Sequence, residues 1–379
     1  MRINQFDWKS DTDTLPQGCL AAQLVLCFGE RALLADDAAI DRLAERYPNA
    51  HVIACSAGGA IDGPHVLDNS LAVTAVEFED SAVQAACMDL EDGVDEFDAG
   101  HLLGQSLPPA GLVHVLLFAP GLNVNAGQIL AGLRTWLPDG VTMTGGLASD
   151  GTAFEQTFIR TRGPNLDAPT NGRRVVAIGL YGQRLRVGFG SLGGWDVFGP
   201  ERTVTKSQGN VLHELDGQPA LTLYKEYLGD QAAGLPSSGL FFPLAVRQQE
   251  DGEVVVRTLL SVDETDGSIT LAGDIPQGST ARLMHGFLNH LIDGARTAPP
   301  PPPAPPATSR NWRCSSVASA GDWCSSSGSK KKSKPCKASS AQAALTGFYS
   351  NGELCPNTRG APCAVHNQTM TVTTLAEVA

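Results

Sequence analysis

An internal repeat constrains the fold of this chain more than any other feature. Residues 20–61 run through an apolar strand, a Gly turn, an amphipathic helix, a Pro-marked loop and a second apolar strand, and residues 111–151 repeat that order. Phe28 is matched by Phe118 at the corresponding place in the second unit. Self-similarity of this kind marks a supersecondary unit that is used more than once. The repeat therefore predicts two β-α-β units.

Alternating apolar and polar residues follow each unit. Residues 68–90 and 173–192 both alternate with period two around a short polar turn, at 79–81 and at 182–183. Such a pattern is typical of two strands joined as a hairpin. Each repeat is thus predicted to be a β-α-β-β module.

The carboxyl-terminal segment contains half of a third module. Residues 345–354 align with 52–61, and residues 366–375 align with the segment that begins at 68. The missing strand and helix of this third module should lie immediately upstream, because the first two modules place them there.

Residues 299–340 stand where that strand and helix are expected, but their composition is foreign to the rest of the chain. They contain five of the eight lysines and three of the nine cysteines, and they begin with a run of prolines. A Pro-, Ser- and Lys-rich segment usually forms a disordered linker, because it cannot bury enough apolar surface to offset the entropy lost on ordering. The first interpretation is therefore a disordered tract.

The second interpretation is a shifted reading frame in the gene. If the proline codons of 299–303 are CCG, a slide of one base converts them to alanine codons, and the lysine codons of 330–332 become glutamate codons. Across 310–337 the same slide gives an apolar strand, a Gly turn and an acidic amphipathic helix. Genomic DNA sequencing distinguishes the two interpretations. In the chain as written, we expect disorder here and an exposed sheet edge where the lost strand should pair.

A different segment separates the second and third modules. A helix is expected over 219–228, because Pro219 suits a helix start and Gly229 a helix end. Strands around 240–246, 254–262 and 268–271 follow between Asp and Gly turns, and a helix over 283–295 closes the segment.

Charge and apolar content exclude several classes of partner. The 27 basic and 40 acidic residues give a net charge of −13, which argues against nucleic acid or an anionic membrane as the main partner. No apolar run approaches the roughly 18 residues of a membrane span, and the amino terminus lacks the apolar core of a secretory signal. We expect a cytoplasmic protein.

The ordered motifs resemble the FIST domain family. They read HVIACSAGGAI, GLNVNAGQILAGL, VTMTGGLASDG, GNVLHELDGQPALTLYKEYLG, VRTLLSVDETDGSITLAGDIPQGS and the terminal GFYSNGEL with HNQTMTV. The resemblance covers the chain from about residue 20 to its end, except for 299–340. It implies a bacterial sensory domain, not an enzyme, that binds a small ligand such as an amino acid. It also implies a separate signalling partner, such as a histidine kinase or a cyclic-dinucleotide enzyme.

The expected fold class is α/β, with repeated β-α-β-β modules that form mixed sheets with packed helices in a two-domain architecture. The expected segments are an amino-terminal arm over 1–19, a FIST N domain over 20–192, the first part of a FIST C domain over 193–298, the disordered or frame-shifted tract over 299–340, and the terminal FIST C strands over 341–379.

The turns after the second strand of each module are the best candidate for a ligand site, because strand carboxyl ends in α/β units share a crevice where ligands bind. Glycines let backbone N–H groups approach a ligand carboxylate, and Asp150 and Glu353 could hold an amino group. Asn125 is a possible helix N-cap in the loop 121–128. The plainer alternative is that Gly and Ser only permit tight turns. The candidate ligand-binding residues are Cys55, Ser56, Gly58, Gly59, Asn123, Asn125, Gly145, Gly146, Ser149, Asp150, Tyr349, Ser350, Asn351, Glu353 and Asn367.

Two other activities stay open at this point. Some members of the family look like haem-binding nitric-oxide sensors, so haem is the alternative cofactor, although we expect none. An axial histidine would be needed, and none of the eight histidines lies in a distinguishing motif. A catalytic role for Cys55 is more remote, since no histidine or acid is assigned as its partner. The pair Cys355 and Cys363 completes no zinc pattern, and no metal site is predicted.

Overall fold

A computed structural model of the chain describes most of the folded modules. The described residues are 1–9, 15, 18–63, 65–91, 93–151, 153–164, 166, 173–193, 195–247, 254–286, 312–318, 344–356, 360–367 and 369–378. Among these, no helix is both long and apolar enough to cross a membrane.

The first module follows an edge strand contributed by the predicted amino-terminal arm. Its continuous apolar run LVLCFG is buried along its whole length, as expected of a strand covered on both faces. The elements are β1 (Arg2–Trp8), β2 (Leu24–Gly29), α1 (Ala38–Arg46), β3 (His51–Ser56), β4 (Ala60–Asp62), β5 (His65–Leu67), β6 (Leu71–Glu77) and β7 (Ala82–Asp89), with a 3-10 turn at Arg31–Leu34.

The second module repeats this order with one added helix, which the sequence pattern missed. That helix packs through glycines on the helix Ala126–Arg134, because a Cβ on Gly100 or Gly132 would overlap a backbone carbonyl of the other helix. The elements are α2 (Glu96–Gln105), β8 (Leu112–Ala119), α3 (Ala126–Arg134), β9 (Thr142–Leu147), β10 (Ile159–Arg162), β11 (Arg174–Tyr181) and β12 (Leu185–Gly193).

The second domain begins with a long strand and contains the predicted helix, which spans Ala220–Leu228 with Pro219 at its N-cap. The predicted strand over 268–271 is confirmed. The predicted helix over 283–295 is wrong at its start, because residues 283–286 belong to a strand. Residues 287–295 lie outside the described residues. The elements are β13 (Trp195–Gln208), β14 (Val211–Leu215), β15 (Gln218–Pro219), α4 (Ala220–Leu228), β16 (Leu244–Arg247), β17 (Val254–Arg257), β18 (Leu259–Asp263), β19 (Ser268–Leu271) and β20 (Thr280–Gly286), with 3-10 turns at Gly229–Gly234 and Ser237–Phe241.

The third module is present in the described residues apart from its predicted helix. Its elements are β21 (Trp312–Ala318), β22 (Ala344–Ser350), β23 (Gly352–Pro356), β24 (Cys363–His366) and β25 (Thr369–Glu377). β21 lies inside the tract for which we expected disorder, so that expectation is wrong for these seven residues. It pairs with β22 on one side and β25 on the other, so the expected exposed edge is absent there too. The rest of 299–340 lies outside the described residues.

Each module builds its sheet in the same way. The first strand runs parallel to the second and antiparallel to the strand that follows later, as β2 does with β3 and β6, β8 with β9 and β11, and β21 with β22 and β25. The result is three mixed sheets, and a fourth, antiparallel sheet forms the second domain. These observations confirm the predicted α/β class with repeated modules. The sheet orders are β1-β6-β2-β3-β10, β7-β11-β8-β9-β23-β24, β12-β25-β21-β22-β4-β5 and β17-β16-β20-β13-β14-β19-β18, with β15 beside β14.

The predicted hairpins are wrong, because the two strands on either side of each polar turn belong to different sheets. β7 pairs with β11 of the second module, and β12 pairs with β25 of the third, while β1 takes the corresponding edge of the first sheet beside β6. The alternating pattern reports one buried face for each strand and carries no information about its partner. The modules therefore exchange strands in a cycle, which gives the three sheets an approximate threefold arrangement.

The three sheets enclose a common core. Phe28, Phe118 and Phe348, one from each module, have ring centroids 4.6 to 6.1 Å apart, and all three rings are buried. Phe348 comes from β22, whereas the other two come from first strands. An aromatic cluster of this kind gains area burial and ring contacts together, so the third module is integral to the core.

Candidate functional site

The three predicted turns meet at the centre of the arrangement. Each turn follows the second strand of its module, and each donates one backbone N–H to a carbonyl of a neighbouring turn. The three bonds join Gly58 N to Tyr349 O at 3.0 Å, Ser149 N to Ser56 O at 2.9 Å, and Asn351 N to Leu147 O at 3.2 Å. The strand exchange described above brings the turns together, so the repeat does predict which residues converge.

Small residues are required where the turns touch. A Cβ on Gly121 would overlap the carbonyl oxygen of Ala148, and a Cβ on Gly58 would lie 3.2 Å from Cα of Gly151. Ser149 Oγ donates to Asn351 Oδ1 at 2.7 Å and accepts from Gly151 N at 3.1 Å. The small side chains therefore serve close packing at this junction.

Neither predicted acid is open to a ligand amino group. The Asp150 side chain is fully buried and accepts backbone N–H groups of Phe154, Glu155 and Gln156 at 2.7 to 3.1 Å. These bonds fix the loop that follows the turn. The expectation that Asp150 binds an ammonium group therefore does not fit this arrangement.

Glu353 is likewise held by the protein. Its carboxylate is buried, and it accepts from Ser350 Oγ at 2.7 Å and from both the backbone N–H and the hydroxyl of Thr369. These contacts join the start of β23 to the start of β25. Its predicted role as an ammonium partner does not fit either.

Most of the remaining candidates are buried in the strands or the turns. Cys55 is buried, and its thiol lies 3.6 Å from the carbonyl oxygen of Ser56. Gly145 and Gly146 lie within β9, and Gly59 packs against the Tyr349 ring, which a Cβ would approach to 2.8 Å. Asn123 is exposed in a left-handed conformation.

An open cleft lies beside the junction, between the domain formed by the three modules and the second domain. Its cavity volume is about 50 Å³, several times the roughly 10–15 Å³ that one water needs. Two of the predicted residues, Asn125 and Asn351, line it. The other lining residues are Gly121, Val124, Ala126, Gly127, Leu147, Asn210, Leu260, Leu271, Ala272, Gly273 and Val365.

Asn125 connects this cleft to the second domain. As predicted, it is the N-cap of α3, because its Oδ1 accepts from Gly127 N and Gln128 N. Its Nδ2 donates to Asp274 Oδ1 at 2.7 Å, and Gln128 Nε2 donates to Asp274 Oδ2 at 3.0 Å. Asp274 was missed, because it lies in a Gly turn of a different domain and has no motif of its own.

Two further contacts hold the domains together at the cleft. Arg257 is buried, and burial lowers the pKa of its guanidinium to about 10, while nearby Asp274 partly opposes that shift. Its Nε donates to the carbonyl of Asp274 and its NH1 to the carbonyl of Val365. Asn367, predicted as a ligand residue, is buried, and with the oxygen and nitrogen of its side-chain amide exchanged Nδ2 donates to the carbonyls of Val256 and Ala272. We therefore assign Asn367 to the domain interface.

The histidines and cysteines form no metal centre within the described part of the chain, where no group of three or more His, Cys, Asp or Glu side chains could hold an ion. His114 is buried between two threonine hydroxyls, and burial lowers its pKa to about 3. Burial also raises the pKa of Cys355 to about 12, with the Glu353 carboxylate adding to that shift.

Comparison with known proteins gives a family and little else. The model of the FIST N domain matches residues 23–218, and that of the FIST C domain matches residues 220–356. No curated protein matches the chain. The crystal structure of a cyanuric acid hydrolase from A. caulinodans is 9% identical over 79% of this chain and 100% of that chain, with a TM-score of 0.18, which is too low to support an argument. The two domain matches cover most of the chain, which therefore belongs to the FIST family of sensory domains in signalling proteins.

Proposed function

We propose that this chain is a non-enzymatic sensory module that binds an amino-acid-like ligand in the cleft between its two domains. The observation that supports this most directly is that the cleft is formed jointly by Asn125 and Asn351 on one side and by Asn210 and Gly273 on the other. A ligand there contacts both domains at once. Ligand pockets are often found at domain interfaces.

The chemistry of the cleft suits a zwitterion. Asp274 follows the lining residue Gly273 and is bonded to the lining residue Asn125. It accepts one hydrogen bond on each carboxylate oxygen, and a carboxylate offers about four acceptor sites, so it can also accept from an ammonium group. Asn351 Nδ2 contacts the Gly121 carbonyl at only 3.5 Å, which leaves a donor for a ligand carboxylate. Asp274 thus takes the role that the sequence pattern gave to Asp150 and Glu353.

Ligand binding would be relayed through the contacts between the domains. Asn125, Gln128 and Arg257 all contact Asp274, so a ligand on Asp274 changes the bonds that fix one domain on the other. The output would be altered docking on a separate signalling protein, such as a histidine kinase or a cyclic-dinucleotide enzyme.

Thermal unfolding with each of the common amino acids tests the proposal. A ligand that binds only the native state raises the free energy of unfolding by mass action, by about 2.7 kcal/mol at 100 times its Kd, and the melting temperature rises with it. We expect at least one amino acid to stabilise the wild-type chain and to lose its effect in Asp274→Asn and Asn351→Ala. Asp230→Asn, at an exposed acid in a 3-10 turn, is the matched control. If no amino acid shifts the wild-type melting temperature, the ligand class is wrong. If Asp274→Asn responds fully, the site is wrong.

A further inference from the structure

A second and larger groove lies on the opposite ends of the strands, away from the domain interface. It runs between β7 and the amino-terminal ends of β2 and β3, and its cavity volume is about 650 Å³. That volume falls within the roughly 300–1,000 Å³ of small-molecule sites. Five consecutive residues of β7, 83–87, line it.

The groove follows the edge of a strand. Successive side chains of a strand point to opposite faces, so a groove that touches five in a row must run along the backbone. β7 is the last strand of its sheet, bonded to β11 on one side only. In an antiparallel pair, alternate residues direct both N–H and C=O away from the partner strand. Within the described chain, no main-chain hydrogen bond to another element uses these outward groups over 83–87, and the backbone of Val83 bonds the His51 side chain.

His51 adds a side chain whose hydrogen bonding is incomplete. It lines the groove, it is only 8% exposed, and its Nδ1 has no partner among the described residues. Burial lowers the pKa of its imidazole, and the backbone of Val83 opposes this only in part, so the ring is neutral. A buried polar atom without a partner is destabilising, and a bound molecule that supplies a partner removes that cost.

The second module has a groove at the corresponding place. Its lining shows that the fold does not require an unpartnered polar side chain or an uncharged surface there. Thr142 begins β9 as His51 begins β3, and its hydroxyl is satisfied by His114 Nδ1 at 2.7 Å. That groove, of about 600 Å³, is lined by charged Arg134, Asp139 and Arg186. None of the described residues lining the first groove is charged.

We propose that the groove beside β7 is a second binding site, for a small uncharged molecule that carries an amide group. The amide N–H and C=O pair with the outward main-chain groups of β7, as a neighbouring strand would, and a further polar atom of the ligand meets the His51 ring. An ionic group is disfavoured, because no opposite charge among the lining residues would offset its desolvation.

The test measures binding of nicotinamide and 2-pyrrolidinone to the full chain by ligand-observed NMR titration, with nicotinate as the charged counterpart of nicotinamide. We expect at least one amide to bind, and nicotinate to bind at least tenfold more weakly. His51→Thr installs the residue of the second module and should weaken amide binding tenfold or more. Gln84→Arg, at an exposed groove position, should abolish it without disturbing the core.

Two variants serve as controls. His65→Thr makes the same change at an exposed histidine outside the groove, and Asp274→Asn alters the cleft between the domains; both should keep the wild-type affinity for the amide. The proposal is overturned if neither amide binds, if nicotinate binds equally well, or if His51→Thr and Gln84→Arg both bind normally.

Discussion

His114 makes the stability of the fold depend on pH in a way that can be calculated. It is fully buried in β8, with Nδ1 2.7 Å from Thr142 Oγ1 and Nε2 2.9 Å from Thr144 Oγ1. Thr373 of the third module donates to Thr144 at 2.7 Å, so the imidazole lies in a chain of hydroxyls between two sheets. Among the described residues no carboxylate compensates a positive charge there, and burial lowers the pKa of His114 from 6.5 to about 3.

The sign of the effect follows from where the proton binds. As the pH falls below about 6.5, the unfolded state takes up a proton that the folded state refuses until about pH 3, so the free energy of unfolding decreases through that window. At about pH 5 the unfolded pKa lies about 1.5 units above the pH, and each unit is worth about 1.4 kcal/mol. The expected loss between about pH 7 and about pH 5 is therefore about 2 kcal/mol.

Urea unfolding of the wild-type chain and of His114→Asn at about pH 7 and about pH 5 measures this term. Asn keeps a donor and an acceptor between the two hydroxyls but does not titrate, so it should lose about 2 kcal/mol less than the wild type over that interval. His51, whose pKa burial also lowers, is present in both proteins and cancels in the difference. Equal losses in the two proteins would refute the assignment of a neutral, buried His114.

Two other substitutions test the third module. Phe348→Ala should lower the free energy of unfolding in urea by about 3–5 kcal/mol, because it opens a cavity among the three central rings. The control Phe154→Ala, at an exposed ring, should lower it little. A small loss for Phe348→Ala would show that the third module is not part of the core. Burial opposes ionisation of Glu377, but hydrogen bonds from the backbone N–H groups of Glu79 and Asp80 and from Ser81 Oγ lower its pKa to about 2. Its stabilisation is therefore present above about pH 4.5 and lost as the pH falls toward about 2, so Glu377→Gln should cost about 1–3 kcal/mol at neutral pH and lose less in acid. If Glu377→Gln and the wild type lose the same free energy of unfolding in acid, the lowered pKa of Glu377 is contradicted.

The order of elements could be read from the sequence, but the pairing of strands could not. Continuous apolar runs such as 24–29 specify a strand buried on both faces, and their repetition identifies the modules. Alternation in β7 specifies only one buried face, and that face can be covered by either of two neighbouring sheets. The strand exchange that creates the threefold centre depends on contacts between residues far apart in the chain, which a local sequence pattern does not encode.

In the candidate site, too, some features could be predicted from the sequence and others could not. The convergence of the three turns followed from the repeat, and the N-cap role of Asn125 followed from its place before an apolar helix. The Asp150 carboxylate accepts hydrogen bonds from backbone N–H groups four to six residues downstream. These bonds depend on the path of a loop, which residue types alone do not determine. Asp274 became visible only when the two domains were brought together.

The strand β21 bears on the origin of residues 299–340. Its backbone sits between β22 and β25 in the position that β2 and β8 occupy in their modules, although its sequence WRCSSVA lacks their apolar runs. The two neighbouring strands, both rich in buried residues, require a partner between them whatever its side chains. A strand at this place with the apolar sequence given by the shifted frame would satisfy both pairing and burial, which supports the frame-shift interpretation. Genomic DNA with a single open frame and no such alternative reading would contradict it.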